Sequence, residues 1–431
     1  MTAAWGRTRP VAIHCEETER NRNLMSKTLA CTLAGLLMGA SLGVPAFAQP
    51  APAANTSAAA PNLTRSVVMA GLQNPWDIAF TPDGVMLFTE KCRGLSARLA
   101  DGKIVRLFGT RGSAVVASDL FCEGQSGVHG VAVDPDFAKG QRDIYVFMAS
   151  KLSTPATNRV VRLTLSADGT SVANRTDIIE DIAYKQAANG AGAAGAHSGG
   201  RIRFGPDGFL YVSTGDNHNA TLPQDLKRLG GKMLRVNRDG TAARGNNTPA
   251  GGDPRIFTYG HRNVQGITFR PPGQPNAGQP FVAEHGPNHS DEVTALVAGG
   301  NAGWDPQNRP GLRCPDDYCG YAGDPNTMPM TDTRRFPQAM PPSWVYNGSG
   351  RGMGAALFLE GEQWKGWNGR LLVSMMRGQR IAVLQLDARG MATGDATVDL
   401  PSTRTRTLVQ GPDGNLYTAN DDGEIWRVVP N

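Results

Sequence analysis

One histidine and one aspartate in this sequence have the types and spacing of a catalytic base with a supporting carboxylate. His197 lies among small residues just before the predicted strand that begins at Arg201, and Asp216 ends the next predicted strand. If these strands pair, the carboxylate lies beside the imidazole, orients it and makes it a better proton acceptor. A histidine near a turn is more often structural, so the spacing alone leaves both interpretations open.

A second group of residues, mostly arginines, has the chemistry to bind an anion. Arg262 and Asn263 offer a guanidinium fork and an amide. Arg404 and Arg406 alternate along a predicted strand and therefore project to one face, where two cations repel each other unless an anion joins them. Arg377 follows another predicted strand. Hydrogen bonds between neighbouring sheets, or a solvated edge strand, would explain the same residues without a ligand.

A turn at Gly286 and Pro287 has the composition to present backbone carbonyl oxygens to a metal ion. Glycine has no side chain to cover these oxygens, and proline has no backbone N–H. Carbonyl oxygens suit a hard cation such as Ca²⁺. A tight turn without a metal is the alternative, and the spacing does not exclude it.

A pattern that recurs along the chain predicts the strands and turns that position these residues. Each copy is a short strand, a turn and a second apolar strand, and the clearest turns contain Pro-Asp-Gly, in which proline fixes φ and glycine accepts a positive φ. Six copies, two of them degenerate, occupy residues 75–90, 128–147, 201–216, 264–284, 354–375 and 406–419. They predict an all-β, six-bladed β-propeller with its site near the axis, and separate hairpin domains are the alternative.

The N-terminus has the features of an export signal. From Met25, which we take as the true start, a lysine, an apolar run and an Ala-x-Ala cleavage site extend to residue 48. A flexible linker rich in Ala, Pro and Ser covers 49–63, and the propeller is predicted over 64–431. A buried N-terminal helix is the alternative. The signal predicts a periplasmic or secreted protein.

Four cysteines follow the predicted cleavage site, and an even number in an exported chain favours disulfides. Cys314 and Cys319 flank a short, turn-rich loop that is able to close locally, which leaves Cys92 for Cys122. A zinc site is the alternative, although paired Cys-x-x-Cys ligands are missing.

Composition excludes several classes of protein. Of the 431 residues, 40% are hydrophobic and 19% charged, which is too apolar for a disordered chain. The 53 glycines and 29 prolines favour short strands and turns over long helices. No apolar run beyond the N-terminus is long enough to span a membrane. The net charge of +5 is not gathered into a basic run, so we expect no nucleic-acid partner.

Taken together, the motifs resemble the soluble glucose/sorbosone dehydrogenase family, in particular its periplasmic aldose sugar dehydrogenases. The resemblance covers about residues 64–430 and rests on motifs that occur in order: Pro75-Trp76, Gly124-Gln-Ser-Gly127, His197-x-Gly-Gly-Arg201, Ser213-Thr-Gly-Asp216, Tyr259-Gly-His-Arg-Asn-x-Gln-Gly266, Glu284-His-Gly-Pro287 and Gly411-Pro-Asp-Gly414. That family uses pyrroloquinoline quinone (PQQ) on a six-bladed propeller.

The resemblance implies PQQ-dependent oxidation of the C1 hydroxyl of aldose sugars to lactones, with electrons passed to an external dye, quinone or cytochrome. It makes His197 the base and Asp216 its support, and it implies a monomer. The residues that it assigns to the quinone are Gln125, Arg262, Asn263, Arg377, Arg404 and Arg406, and it assigns Ca²⁺ to the carbonyls of Gly286 and Pro287. Arg377 stands where the family commonly has lysine.

Two other functions remain open from the sequence. A Ca²⁺-dependent lactonase on a similar propeller would need carboxylate ligands around the axis, whereas the cluster here is cationic. A non-catalytic binding propeller would not need His197, Asp216 and the set of arginines.

Overall fold

The computed structural model describes residues 59–187, 192–310, 314, 317–321 and 328–431. Its strands form six sheets, which are antiparallel except for one short fifth strand that pairs parallel in the first blade. The first strand of each sheet contacts the first strands of the two neighbouring sheets, so the ring is closed. The predicted six-bladed β-propeller is therefore confirmed. The predicted export signal at 1–48 and most of the linker at 49–63 lie outside the described residues.

Each blade is a meander that runs from an inner strand near the axis to an outer strand. The strands of blades 1 to 3 are β2 (Pro75–Phe80), β3 (Met86–Glu90), β4 (Gly94–Arg98), β5 (Ile104–Gly109) and β6 (Val115–Val116); β7 (Val128–Val133), β8 (Asp143–Ser150), β9 (Thr157–Leu165) and β10 (Val172–Ile182); and β11 (Ile202–Phe204), β12 (Leu210–Ser213), β13 (Lys232–Val236) and β14 (Ile256–Tyr259).

The other three blades have the same strand order, and the outer strand of the last blade is the first strand of the fold. Their strands are β15 (Val264–Phe269), β16 (Pro280–Glu284), β17 (His289–Ala295) and β18 (Trp344–Ser349); β19 (Met353–Phe358), β20 (Leu371–Met375), β21 (Arg380–Leu386) and β22 (Ala392–Thr397); and β23 (Thr405–Gln410), β24 (Leu416–Asn420), β25 (Ile425–Pro430) and β1 (Leu63–Met69). β1 pairs antiparallel with β25, with Leu63 opposite Pro430, so the two ends of the propeller domain complete blade 6 together.

In blades 1, 3 and 6, the hairpin between the first and second strands is closed by a predicted Pro-Asp-Gly turn. Gly208 and Gly414 adopt φ of 79° and 73°, values that side chains disfavour. Gly205 donates its N–H to the carbonyl of Phe209 at 2.9 Å and closes one of these turns. All six repeats identified in the sequence correspond to inner hairpins of the six blades.

A buried ionic cluster crosses the axis below the site. Asp77 of β2 accepts hydrogen bonds from Arg201 of blade 3, from Arg203 at 2.7 Å and from Thr407 of blade 6 at 2.9 Å. Arg201 is 1% exposed, lies 4.1 Å from the ring centroid of Trp76 and donates to backbone carbonyls of blades 4 and 6. Burial opposes ionisation of Asp77, but Arg201 and Arg203 outweigh it and lower the pKa of the carboxyl.

The topology brings the predicted site residues to one end of the propeller. The inner strands start at this end and the second strands, which run antiparallel to them, finish there. His197, Arg262 and Arg404 precede inner strands, whereas Asp216 and Arg377 follow second strands. We call this end the site face. Among the described residues, no helix has the length and apolar character needed to cross a membrane.

Candidate active site

His197 and Asp216 are in direct contact, as their spacing predicts. Nδ1 of His197 donates to Oδ1 of Asp216 at 2.7 Å, and both residues are buried. The loop that carries His197 passes close to Gly215, where a Cβ atom would lie 2.1 Å from the His197 carbonyl oxygen. Glycine at 215 therefore permits the approach that joins the histidine to its carboxylate.

The second oxygen of Asp216 accepts two further hydrogen bonds. The indole N–H of Trp304 and the hydroxyl of Tyr318 both donate to Oδ2 at 2.8 Å. Burial alone would raise the pKa of Asp216, but His197 and the hydrogen bond to it, with Arg262, lower this pKa to about 2. Asp216 is thus a carboxylate that fixes the orientation and tautomer of His197.

The free nitrogen of His197 faces a second histidine and a tyrosine. Nε2 of His197 lies 3.1 Å from Nε2 of His218 and 3.2 Å from the hydroxyl of Tyr321, and that hydroxyl also lies 3.2 Å from Nε2 of His218. Burial and the charge of Arg262 lower the pKa of His197 to about 3. The ring is therefore neutral near pH 7, with Nε2 available to accept a proton.

Arg262 is a buried cation beside this pair. It donates from Nη1 to the carbonyl of His285 at 3.2 Å, and its Cζ lies 5.1 Å from the ring centroid of Tyr321 and 5.6 Å from that of Trp304. Its Nε and Nη2 are buried and have no hydrogen-bond partner among the described residues. Buried donors without partners are costly, so this guanidinium is suited to an anionic ligand.

Arg404 and Arg406 share one face as predicted, and Asp421 lies between them. Arg404 donates from Nε to Oδ2 of Asp421 at 2.8 Å, and Arg406 donates from Nε to Oδ1 at 2.6 Å. The expectation that these cations need a bound anion is therefore corrected, because the protein itself supplies a carboxylate. With Lys91, whose pKa is lowered by burial and by Arg406, the cluster still carries excess positive charge.

Three further predicted quinone contacts lie at different distances from the His197 loop: Asn263, Gln125 and Arg377. Asn263 accepts from the Gly199 N–H at 3.2 Å, which ties it to the loop of His197. Gln125 has an exposed side chain, and its N–H donates at 2.8 Å to the carbonyl of Ala194 in that loop. Arg377 is exposed on the hairpin after β20, and its side chain has no hydrogen bond among the described residues.

The Gly286–Pro287 turn connects β16 to β17 at the site face. Gly286 donates its N–H to Oδ1 of Asp291 at 2.9 Å, and a Cβ at this position would lie 1.9 Å from the carbonyl oxygen of His289. The turn therefore requires glycine. In the part of the chain that the structure describes, no three His, Cys, Asp or Glu side chains cluster as a metal site.

Both predicted disulfides are present, between Cys92 and Cys122 and between Cys314 and Cys319. The second lies in the long connection between β17 and β18, which also carries Trp304, Tyr318 and Tyr321. Sequence reasoning gave these aromatic residues no role, because the connection has no strand periodicity. The sequence feature that pointed to this segment is the predicted disulfide between Cys314 and Cys319, because these cysteines lie on either side of Tyr318.

Comparisons with known proteins identify the family of this chain. The family described as Glucose / Sorbosone dehydrogenase matches residues 72–427. The aldose sugar dehydrogenase YliI of Escherichia coli strain K12 is 26% identical over 84% of this chain and 92% of its own length. Quinoprotein glucose dehydrogenase B of Acinetobacter calcoaceticus is 26% identical over 86% of this chain and 89% of its own. A crystal structure of a glucose dehydrogenase matches with a TM-score of 0.70 and 26% identity, over 85% of this chain and 99% of its own. The chain belongs to the glucose/sorbosone dehydrogenase family.

Proposed function

We propose that the protein is a PQQ-dependent dehydrogenase that oxidises the C1 hydroxyl of aldose sugars to lactones. The observation that carries this proposal is the juxtaposition of a neutral, buried His197 with the buried and partly unpaired guanidinium of Arg262. A proton acceptor next to an anion-binding group is what oxidation of an alcohol by an anionic quinone requires. The quinoprotein name of the Acinetobacter relative supports the same cofactor.

In this proposal, Nε2 of His197 takes the proton of the sugar C1 hydroxyl. Asp216 holds the ring by its 2.7 Å hydrogen bond and stabilises the positive charge that develops on it. Trp304 and Tyr318 keep Asp216 in place from the other side. The large energetic cost of charging a buried imidazole is thereby reduced at the moment of proton transfer.

The arginines would hold the carboxylates of the quinone. The unpaired Nε and Nη2 of Arg262 fit a carboxylate, and Lys91, Arg404 and Arg406 give the site face its positive charge despite Asp421. We propose Gln125, Asn263 and Arg377 as further polar contacts, and the carbonyls of Gly286 and Pro287 as ligands of Ca²⁺. When bound, PQQ supplies the electrophile that accepts the hydride, and Ca²⁺ polarises it.

We also propose that the protein acts in the periplasm or outside the cell and passes its electrons to an external acceptor. The two disulfides support an oxidising compartment. The N-terminal sequence supports export through its apolar run and Ala-x-Ala site.

Reconstitution tests the proposed function directly. Protein made without cofactor should not reduce a redox dye with glucose or other aldoses, and it should gain this activity when PQQ and Ca²⁺ are both added. A chelator added before reconstitution should prevent the gain. Equal activity with NAD in place of PQQ, or indifference to the chelator, would contradict the proposal.

A further inference from the structure

Three arginines lie together on the site face, at the junction of blades 4 and 5. Arg351 is in the connection from β18 to β19, Arg377 is in the hairpin between β20 and β21, and Arg380 begins β21. The backbone joins these segments, because the carbonyl of Arg351 accepts the N–H groups of Arg377 at 2.7 Å and of Gly378 at 3.0 Å. We call Arg351, Arg377 and Arg380 the arginine patch.

One tyrosine holds two of these guanidinium groups close to each other. The Cζ atoms of Arg351 and Arg380 lie 5.3 Å and 5.5 Å from the ring centroid of Tyr346. Nε of Arg351 donates to the Tyr346 hydroxyl at 3.0 Å, and Nε of Arg380 lies 3.5 Å from Sδ of Met375. A ring and a thioether fix the two cations in place but do not neutralise them, so the two positive charges repel each other.

The arginine patch has no carboxylate partner of its own. Among the described residues, no acidic side chain lies within ion-pair distance of its three guanidinium groups. Asp291 is buried and accepts the backbone N–H of Arg351, not its guanidinium. On blade 6, by contrast, Arg404 and Arg406 share the carboxylate of Asp421. The site face therefore presents an unbalanced positive charge at blades 4 and 5.

We propose that the arginine patch is the docking surface for an acidic electron-acceptor protein; the proposal rests on the proposed dehydrogenase and defines the charge of its external acceptor. Arg377 is exposed, Arg351 and Arg380 are half-buried, and the three come from two blades, so they present charge to a broad partner surface. Charge of this kind steers an oppositely charged protein into contact.

The electrons balance with a one-electron acceptor. Oxidation of one sugar to its lactone releases two electrons and two protons, so two acceptor molecules each take one electron and the protons pass to water. A partner that docks on the arginine patch lies beside Arg377, which we propose as a quinone contact. The electrons thus leave the site at the edge of blades 4 and 5.

The test measures electron transfer from the glucose-reduced holoprotein to oxidised plastocyanin, a copper protein with a carboxylate-rich surface. In the double variant Arg351→Gln/Arg380→Gln, the second-order rate constant should fall about tenfold at low ionic strength, and the native rate constant should fall as salt is added. Reduction of a neutral benzoquinone should be equal in both proteins. Arg98→Gln/Arg244→Gln, which removes two arginines from the opposite end of the propeller, is the matched control and should behave as the native protein does.

A second readout uses the protein without cofactor. Its Kd for plastocyanin, measured by calorimetry at low ionic strength, should rise about tenfold in Arg351→Gln/Arg380→Gln. Plastocyanin with its surface carboxylates changed to amides should bind the native protein equally weakly.

A native rate constant and a native Kd in Arg351→Gln/Arg380→Gln would overturn the docking surface while leaving the proposed dehydrogenase intact. Binding to vesicles of phosphatidylglycerol but not to plastocyanin would overturn a protein partner in favour of an anionic membrane surface. A native holoprotein that does not reduce benzoquinone would instead overturn the proposed function, and calorimetry would still decide whether the arginine patch binds an acidic protein.

Discussion

The indole N–H of Trp304 donates to Asp216 at 2.8 Å, on the carboxylate oxygen that His197 does not use. Trp304 lies in the connection between β17 and β18, whereas Asp216 belongs to blade 3, so a distant segment of the chain holds the carboxylate of the proposed base. Both side chains are fully buried. The pair of His197 and Asp216 is consequently held by blade 3 and by a loop of blade 4 together.

Replacing Trp304 with phenylalanine should remove this hydrogen bond while keeping an aromatic ring. A hydrogen bond to a charged group contributes ~1.5–3 kcal/mol, so the free energy of unfolding should fall by about that amount. Urea unfolding of the protein without cofactor measures the change. Trp367→Phe is the control, since its buried ring makes no contact with Asp216. Equal losses in the two variants would show that packing, and not the bond to Asp216, determines the effect.

His197→Ala should lower kcat by roughly 10²–10⁴-fold, which is the usual contribution of a general base. PQQ affinity should change little, because the proposed quinone contacts are other residues. Dye reduction at saturating PQQ gives kcat, and a PQQ titration gives the affinity. Native turnover in this variant would contradict the assignment of the base.

Arg406→Ala should weaken PQQ binding by roughly ten- to one-hundred-fold, since a charge-assisted hydrogen bond contributes ~1.5–3 kcal/mol. The loss also leaves Asp421 with one arginine partner in place of two, which makes the site less positive. The measurement is the PQQ concentration for half reconstitution at fixed Ca²⁺. Arg377→Lys is the matched comparison and should be milder, because the charge is kept. An unshifted titration for Arg406→Ala would assign this arginine to the pair with Asp421 alone.

Stability should decline on mild acidification because of His197. Its pKa is lowered from 6.5 to about 3 in the folded protein, chiefly by burial, so between these values the unfolded chain binds the extra proton. The free energy of unfolding should therefore fall as pH drops below 6.5, by up to about 1.4 kcal/mol per pH unit from this group. Urea unfolding between pH 7 and 5 measures the slope. In His197→Gln, the free energy of unfolding should depend less steeply on pH. An identical dependence in the two proteins would contradict the lowered pKa of His197.

Asp77→Ala should be strongly destabilising, because it leaves Arg201 buried without its carboxylate. Removing one partner of a buried ion pair costs about 3–5 kcal/mol. Lys139→Ala, which removes an exposed ion pair with Asp136, should have a far smaller effect on the free energy of unfolding. Chemical unfolding measures the free energy of unfolding of both variants. Similar small decreases would mean that the buried cluster around Asp77 does not stabilise the ring.

The sequence predicted the fold well because the blades repeat a local signal. Turns such as that at Gly208 and the apolar strands around them are visible within short windows, and two degenerate copies could be placed from the regular recurrence. His197 and Asp216 were predictable together, since they lie at the ends of two strands that pair. Both disulfides were also predicted.

The surroundings of the site were harder to predict because they depend on contacts between distant segments. Tyr321 reaches His197 from more than a hundred residues away in sequence, in a loop without periodicity. Asp421 follows β24 and pairs with both Arg404 and Arg406, a contact that no spacing in the sequence indicates.

The pairing of β1 with β25 means that blade 6 is assembled from two segments far apart in the sequence. Blade 6 needs the last strand of the chain and also the first strand, more than 350 residues earlier. Arg404 precedes β23 and Arg406 lies in it, so the cationic cluster is carried by the blade that the two ends of the domain complete together. Closure of so long a loop is slow, and it comes after the local hairpins have formed. The β25 strand thus joins the two ends of the propeller domain, and blade 6 has its four strands only when both ends are in place.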